Sequence, residues 1–327
     1  MVKRLAIDNI LCATDCSDAS VPAMRRAVSL GRWFRARVTV LHVTPALPPP
    51  ETGMTWAGYV RQSAEEVDAW RRQQREAVDA FVAPYLGRGV PIATCVAAGA
   101  SDAPSREIRE AAETLAADLI VMGTHQRTGL DHFLLGSVAE KVLRVAPCPV
   151  MVVAGPDSHD TATPLFRRIV CATDLGEGAQ ATVNTALSLA QENLARLVLL
   201  HVVEDVRDPG SLDLYRPVPE PAAFRQALVE RAQRRLGELS GPAPSFCDLE
   251  TRVEMGKPWQ EVVRVAEEED ADLIVLGAHA GGAIGRLFLG SPANQIVRHA
   301  PCPVLIAHEG PAGVGALSMA ETAAQAS

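Results

Sequence analysis

One phrase occurs twice in this 327-residue chain. Gly136-Ser137, six residues, Arg144, and then Ala146-Pro147-Cys148-Pro149-Val150 reappear as Gly290-Ser291, six residues, Arg298, and Ala300-Pro301-Cys302-Pro303-Val304, displaced by 290 − 136 = 154 positions. Further matches extend the repeat. Cys12-Ala13-Thr14-Asp15 recurs as Cys171-Ala172-Thr173-Asp174 and Leu41-His42-Val43 as Leu200-His201-Val202, both displaced by 159. Ala117-Asp118-Leu119-Ile120-Val121-Met122-Gly123 recurs as Ala271-Asp272-Leu273-Ile274-Val275-Leu276-Gly277, displaced by 154. A period this long is a duplicated domain, not a solenoid unit, and ~150 residues is enough for one independent core.

The boundaries follow from composition. Residues 1–155 form the first domain, 156–166 a polar linker rich in turn formers, and 167–308 the second domain. Residues 309–327, rich in Ala, Gly and Ser with no aromatic residue, are expected to be disordered.

Each half alternates apolar strands with amphipathic helices. In the first half, Ile10–Ala13, Val38–Val43, Ile92–Ala97, Leu119–Met122 and Val150–Val153 read as strands. Val21–Phe34, Ala64–Tyr85, Ser105–Ala116 and Ser137–Val145 read as helices. Continuous apolar strands in strict alternation with helices predict a parallel sheet covered on both faces, a doubly wound α/β sandwich. Ligands bind such sheets beyond the carboxyl ends of the strands. Asp15, Val43, Gly99 and Gly123 fall at those ends, as do Asp174, Val202, Gly256 and Gly277 in the second half.

The repeated Gly-Ser stands where a helix begins. A helix start offers unpaired N–H groups and a partial positive charge to an anion. Ser137 and Ser291 can cap their helices, and the preceding Gly136 and Gly290 let a ligand approach the backbone closely. In both halves this pair lies 13 residues after a strand-end glycine, Gly123 or Gly277.

The layout Gly123, two residues, Gln126, nine residues, Gly136-Ser137 resembles the nucleotide-binding motif of universal stress proteins. The segments Gly123-Thr124-His125-Gln126-Arg127-Thr128-Gly129 and Ala146-Pro147-Cys148-Pro149-Val150 are similar to that family too, and the resemblance covers both halves. It implies two tandem open five-stranded parallel-sheet α/β domains of the universal-stress, nucleotide-binding alpha-hydrolase-like type. It implies ATP, with Mg²⁺, as ligand in some members, and pairing of domains through their last strands. Carried onto this chain, it makes Asp15, Val43, Gly99, Gly123, Gln126, Gly136, Ser137 and Val138 the candidate nucleotide contacts of the first half. Those of the second half are Asp174, Val202, Gly256, Gly277, Gly290 and Ser291.

Two departures separate the halves. The motif's second glycine is Gln126 in the first half and Ala280 in the second. Pro292 stands where the first half has Val138, so one N–H at the helix start is missing, although proline is compatible with a helix's first turn. A lost donor cannot be restored by a rotamer change, so the first half is expected to be the tighter nucleotide site.

Other chemistry finds little support. The matched histidines His42/His201 and His125/His279 have no recurring second ligand and read as locally bonded. Asp15 and Asp174 read either as loop caps or as ligand contacts, and Ser17, Asp18 and Ser20 as caps of the first helix. Neither Gly-Ser is followed by a P-loop lysine, and no catalytic dyad is apparent, so turnover is expected to be slow or absent. The seven cysteines contain no CxxC and imply a reduced, cytoplasmic protein without a metal. Asp8 interrupts any leader-like apolar run. No stretch approaches ~20 apolar residues, which excludes a membrane helix. The net charge of −8 disfavours nucleic acid as partner. The sequence therefore reads as a stress-response, ATP-binding regulatory module. The alternatives are a degenerate-pocket interaction protein and a slow ATPase. Domain–domain pairing as a pseudo-dimer is expected, with a homodimer of the tandem left open. The proline-rich segments 44–62 and 204–222 read as surface loops or lids.

Overall fold

The computed structural model describes residues 6–44, 64–98, 104–124, 135–154, 166–204, 222–241, 247–278 and 291–307. Residues 45–62 and 205–221 of the proline-rich loops, residues 156–165 of the linker, the tail, and Gly99, His125, Gln126, His279, Ala280 and Gly290 lie outside the described residues.

The first half runs β1 (Asn9–Thr14), α1 (Val21–Phe34), β2 (Arg37–Thr44), α2 (Ala64–Val82), β3 (Ile92–Ala98), α3 (Pro104–Thr114), β4 (Leu119–Gly123), α4 (Ser137–Val145) and β5 (Val150–Val153). The second half repeats this order as β6 (Arg168–Ala172), α5 (Ala179–Asn193), β7 (Arg196–Glu204), α6 (Ala222–Ser240), β8 (Leu249–Gly256), α7 (Pro258–Glu268), β9 (Leu273–Gly277), α8 (Ser291–His299) and β10 (Val304–Ala307). The α2 helix gives way to a 3-10 turn at Ala83–Tyr85, because Pro84 has no N–H to continue the ladder.

The strands form one ten-stranded sheet in the order β3-β2-β1-β4-β5-β10-β9-β6-β7-β8. Every pairing within a half is parallel, whereas β5 and β10 pair antiparallel, with Met151 opposite Leu305. Each half alone would expose an apolar edge strand there, and joining the two edges covers both.

Alternation along the strands sorts the core into two layers. Ile10, Cys12, Met151, Ile169, Cys171 and Leu305 face α1, α2, α5 and α6. Leu11, Ala13, Val150, Val170, Val304 and Ile306 face α3, α4, α7 and α8. Both layers run across the junction between halves. There, the buried Arg26 of α1 places its guanidinium 5.4 Å from the ring centroid of Phe166, which is fully buried.

The duplication reaches the strained backbone. The non-glycine residues with positive φ fall into matched pairs: Cys16 (62°) and Leu175 (63°), Arg35 (57°) and Leu194 (53°), Ala116 (45°) and Asp270 (44°). The second pair closes α1 and α5 in the left-handed conformation. Asp118 and Asp272 anchor the first strand of each half. The Asp8 and Asn9 amides donate to Asp118 Oδ2 at 2.8 and 2.9 Å, and the Arg167 and Arg168 amides to the Asp272 carboxylate at 2.7 and 3.2 Å.

Candidate functional site

The turn after the first strand of each half follows one plan. Thr14 Oγ1 accepts from the Cys16 amide at 2.9 Å, and Thr173 Oγ1 from the Leu175 amide at 3.1 Å. These bonds hold Cys16 and Leu175 in the left-handed region. Beyond them, Asp15 Oδ1 accepts from the Ser17 amide at 3.0 Å and Asp174 Oδ1 from the Gly176 amide at 2.9 Å. The neighbouring histidines bond locally, as their sequence context suggests. His42 Nδ1 donates to Thr14 O at 2.9 Å and His201 Nδ1 to Thr173 O at 2.8 Å. These bonds tie the turn to the end of β2 or β7.

The halves diverge in how the carboxylate is engaged. Asp15 Oδ1 also accepts from the Ser17 and Ser20 hydroxyls, each at 2.7 Å. Those hydroxyls do not cap the first helix as expected: both donate to the carboxylate, and neither makes a side-chain bond to the helix start. In the second half the equivalent of Ser17 is Gly176, and Asp174 stands exposed at the mouth of a cleft.

That cleft has a volume of about 540 Å³ and lies beyond the carboxyl ends of β6, β7 and β9. Leu200, Val202, Val262, Leu276 and Ile296 give it an apolar floor, and Asp174, Thr173 and Glu204 bring polar groups to the rim. Three helices begin on its wall: Ala179 opens α5, Pro258 opens α7, and Pro292 and Ala293 stand in the first turn of α8. Their converging N-termini supply partial positive charge. No Lys or Arg is among the described lining residues, so these backbone ends carry the attraction for an anion. Apolar floor, carboxylate rim and helix starts together suit a nucleoside carrying phosphate.

The cleft thus gathers Asp174, Val202 and Gly277 of the expected second-half residues. It does not gather Gly256, which closes β8. With φ at 152°, an added Cβ on Gly256 would sit 2.9 Å from Glu261 Oε1, so this glycine serves close packing against α7. Gly290 lies outside the described residues, and Ser291 opens α8.

In the first half, Gly136 is the N-cap of α4 in an extended conformation and Ser137 is the first helical residue, one place later than the capping role expected of it. Ser137 is exposed. Val43 and Val138 both pack, partly buried, against the same core layer. Gly123 ends β4 against the Asp18–Ser20 turn, where an added Cβ would meet Ala19 O at 3.1 Å. Glycine there lets the turn close onto the strand end. Gly99 and Gln126 lie outside the described residues.

Sequence reasoning missed Thr182, Glu204, Pro258, Val262 and Ile296 on the cleft wall. Only their helical or strand period marked them, and that period equally describes core. Among the described residues no group of three or more His, Cys, Asp or Glu is placed to hold a metal ion. None of the described helices is long and apolar enough to cross a membrane.

The comparisons agree with this architecture. The model of the universal stress protein family matches residues 6–154 and again 165–308. A universal stress protein of Mycolicibacterium smegmatis is 26% identical over 313 residues, covering 94% of this chain and 99% of its own. One from Methanocaldococcus jannaschii is 36% identical over 149 residues, covering 45% of this chain and 82% of its own. Among solved structures, a universal stress protein from Archaeoglobus fulgidus superposes with a TM-score of 0.58 at 21% identity, covering 94% of this chain and 98% of that one. With two successive family domains, each an open α/β sheet of five parallel strands, the chain belongs to the universal stress protein family in its tandem form.

Proposed function

We propose that the chain is a nucleotide-responsive regulatory module of the stress response and that its second half holds an adenine nucleotide, ATP being the expected form. The observation that carries this reading is the cleft beyond β6, β7 and β9, with its apolar floor, Asp174 at the rim and three helix starts on its wall. On this reading the base and ribose lie over Val202 and Leu276, and Asp174 accepts from the nucleoside. The phosphates turn toward the start of α8 and the neighbouring Gly277. No cation-binding cluster is present among the described residues, so a Mg²⁺ would be carried by the nucleotide's own phosphates.

The reading reverses the order expected from Pro292 alone. A missing N–H weakens a phosphate contact, whereas in the first half a ligand must compete for Asp15 with three hydrogen bonds already made. The residues around the cleft bind and orient. His201 commits Nδ1 to Thr173 O, and Asp174 and Glu204 are the described carboxylates on the wall. This supports a binding role over efficient hydrolysis. We further read the two halves as a pseudo-dimer across the β5–β10 junction, working in the cytoplasm.

Native mass spectrometry of the purified protein, followed by calorimetry with ATP and adenosine, tests the proposal. A retained nucleotide mass, or ATP binding reduced by Asp174→Asn, is the expected result. No added mass and no heat with ATP, ADP or AMP would leave the degenerate-pocket interaction protein as the better reading.

A further inference from the structure

A second cavity, of about 510 Å³, lies on the other face of the sheet from the cleft, between α6 and the ends of β6 and β7. It meets the cleft over the rim of the sheet, sharing Asp174, His201 and Val203 with it. Its wall carries Arg231, Arg234 and Arg235, which with Glu238 fall at one-turn spacing on one face of α6. Arg235 pairs with Glu238 at 2.9 Å. Arg231 and Arg234 make no ion pair among the described residues, in a chain whose net charge is −8. Two guanidinium groups therefore face a concave space whose bordering carboxylates are already bonded, Glu238 to Arg235 and Asp174 to the Gly176 amide.

The first half explains how this cavity arises. The core-facing positions of α2 and α6 align at a displacement of 158, the buried Val78 with Leu236 and the half-buried Phe81 with Leu239. At that displacement Gln73, Glu76 and Ala77 stand where the second half has Arg231, Arg234 and Arg235, and Gln74 stands where it has Ala232. The Gln74 carboxamide reaches His42 Nε2 at 3.3 Å and occupies the space beside it. Ala232 has no such reach, so the space beside His201 opens into the cavity. The same few positions that remove bulk also add positive charge.

We infer that this arginine-lined cavity is a phosphoryl-binding subsite unique to the second half. Guanidinium forks match oxyanions in bidentate fashion and are less strongly hydrated than ammonium groups, and two of them at one-turn spacing can engage separate oxygens of a phosphoryl group, which carries more charge and more acceptors than a carboxylate or chloride. The phosphoryl group comes either as a free anion or as the second phosphate of a nucleotide seated in the adjoining cleft. Only the second source rests on the nucleotide reading above.

Full-length protein and its R231Q/R234Q variant are titrated calorimetrically with pyrophosphate, AMP and adenosine 3′,5′-bisphosphate. If the phosphate is nucleotide-borne, wild type prefers the bisphosphate to AMP by about tenfold or more, one charged hydrogen bond's worth, and the variant loses that preference. If the source is a free anion, pyrophosphate binds on its own and the variant binds it at least tenfold more weakly. The latter outcome upholds the subsite even where no nucleotide binds the cleft. Equal behaviour of wild type and variant toward both pyrophosphate and the bisphosphate overturns the inference. Both side chains are exposed. Should the double variant fail to fold, the single R231Q and R234Q variants carry the same comparison.

Discussion

Replacing Pro292 by Val isolates the backbone's part in holding phosphate. Pro292 is the second residue of α8 and stands on the cleft wall beside Ala293. The amides of a helix's first turn have no partner inside the helix, so valine restores an N–H free to meet a ligand. The helix itself changes little, because proline is tolerated in the first turn and valine's propensity cost is about 0.5 kcal/mol. A hydrogen bond to a charged acceptor contributes roughly 1.5–3 kcal/mol, which corresponds to about tenfold to a hundredfold in affinity. Calorimetry of the full chain with ATP should show that gain in one class of sites, and adenosine, which lacks phosphate, should show none. The reciprocal substitution Val138→Pro in α4 should weaken ATP binding to the first half by a similar factor. Unchanged ATP affinity in Pro292→Val, or an equal gain for adenosine, would refute the donor argument.

Gly256→Ala forces a side chain onto φ of 152° and toward Glu261, and should cost roughly 1–3 kcal/mol of stability in a denaturant titration. Leu305→Ala removes a side chain only 3% exposed at the β5–β10 junction and should cost about 2–5 kcal/mol, measured the same way. Burial pushes the thiols of Cys12, Cys148, Cys171 and Cys302 up to about 12, so a thiol reagent at pH 8 should label the exposed Cys95 first and spare those four until unfolding. Hydrogen bonds from Arg252 and Arg264 hold the Glu268 carboxyl below its ordinary range. Its contribution to stability is therefore present above the unfolded carboxyl's pKa and disappears as the pH falls through the lowered one. Thermal melts of wild type and Glu268→Gln should differ at neutral pH and converge in acid.

The sequence by itself determined the duplication, the alternation of strands and helices, and the helix starts at Ser137 and Ser291. Each is written in local chemistry: apolar period, proline and glycine punctuation, and identical phrases at a fixed displacement. The turn after the first strand was also legible, because Thr14-Asp15 and Thr173-Asp174 carry their own hydrogen-bond acceptors. Tertiary structure decided what those matched phrases do. Asp15 and Asp174 are identical in sequence context on one side, yet Ser17 and Ser20 surround the first with donors while Gly176 leaves the second at a cleft mouth. Gly256 matched Gly99 by position, but that an added Cβ there would meet Glu261, a residue on the following helix, came only from the tertiary structure. The arginine-lined cavity was invisible in the chain, since nothing in the local sequence distinguishes Arg231 and Arg234 from other exposed helical charges. Only the loss of a reaching side chain at Ala232, set against β7 by packing, turns that face into a wall. Local propensity is encoded over a few residues, whereas a cavity is the space that distant residues fail to fill, and that is settled only when the layers close.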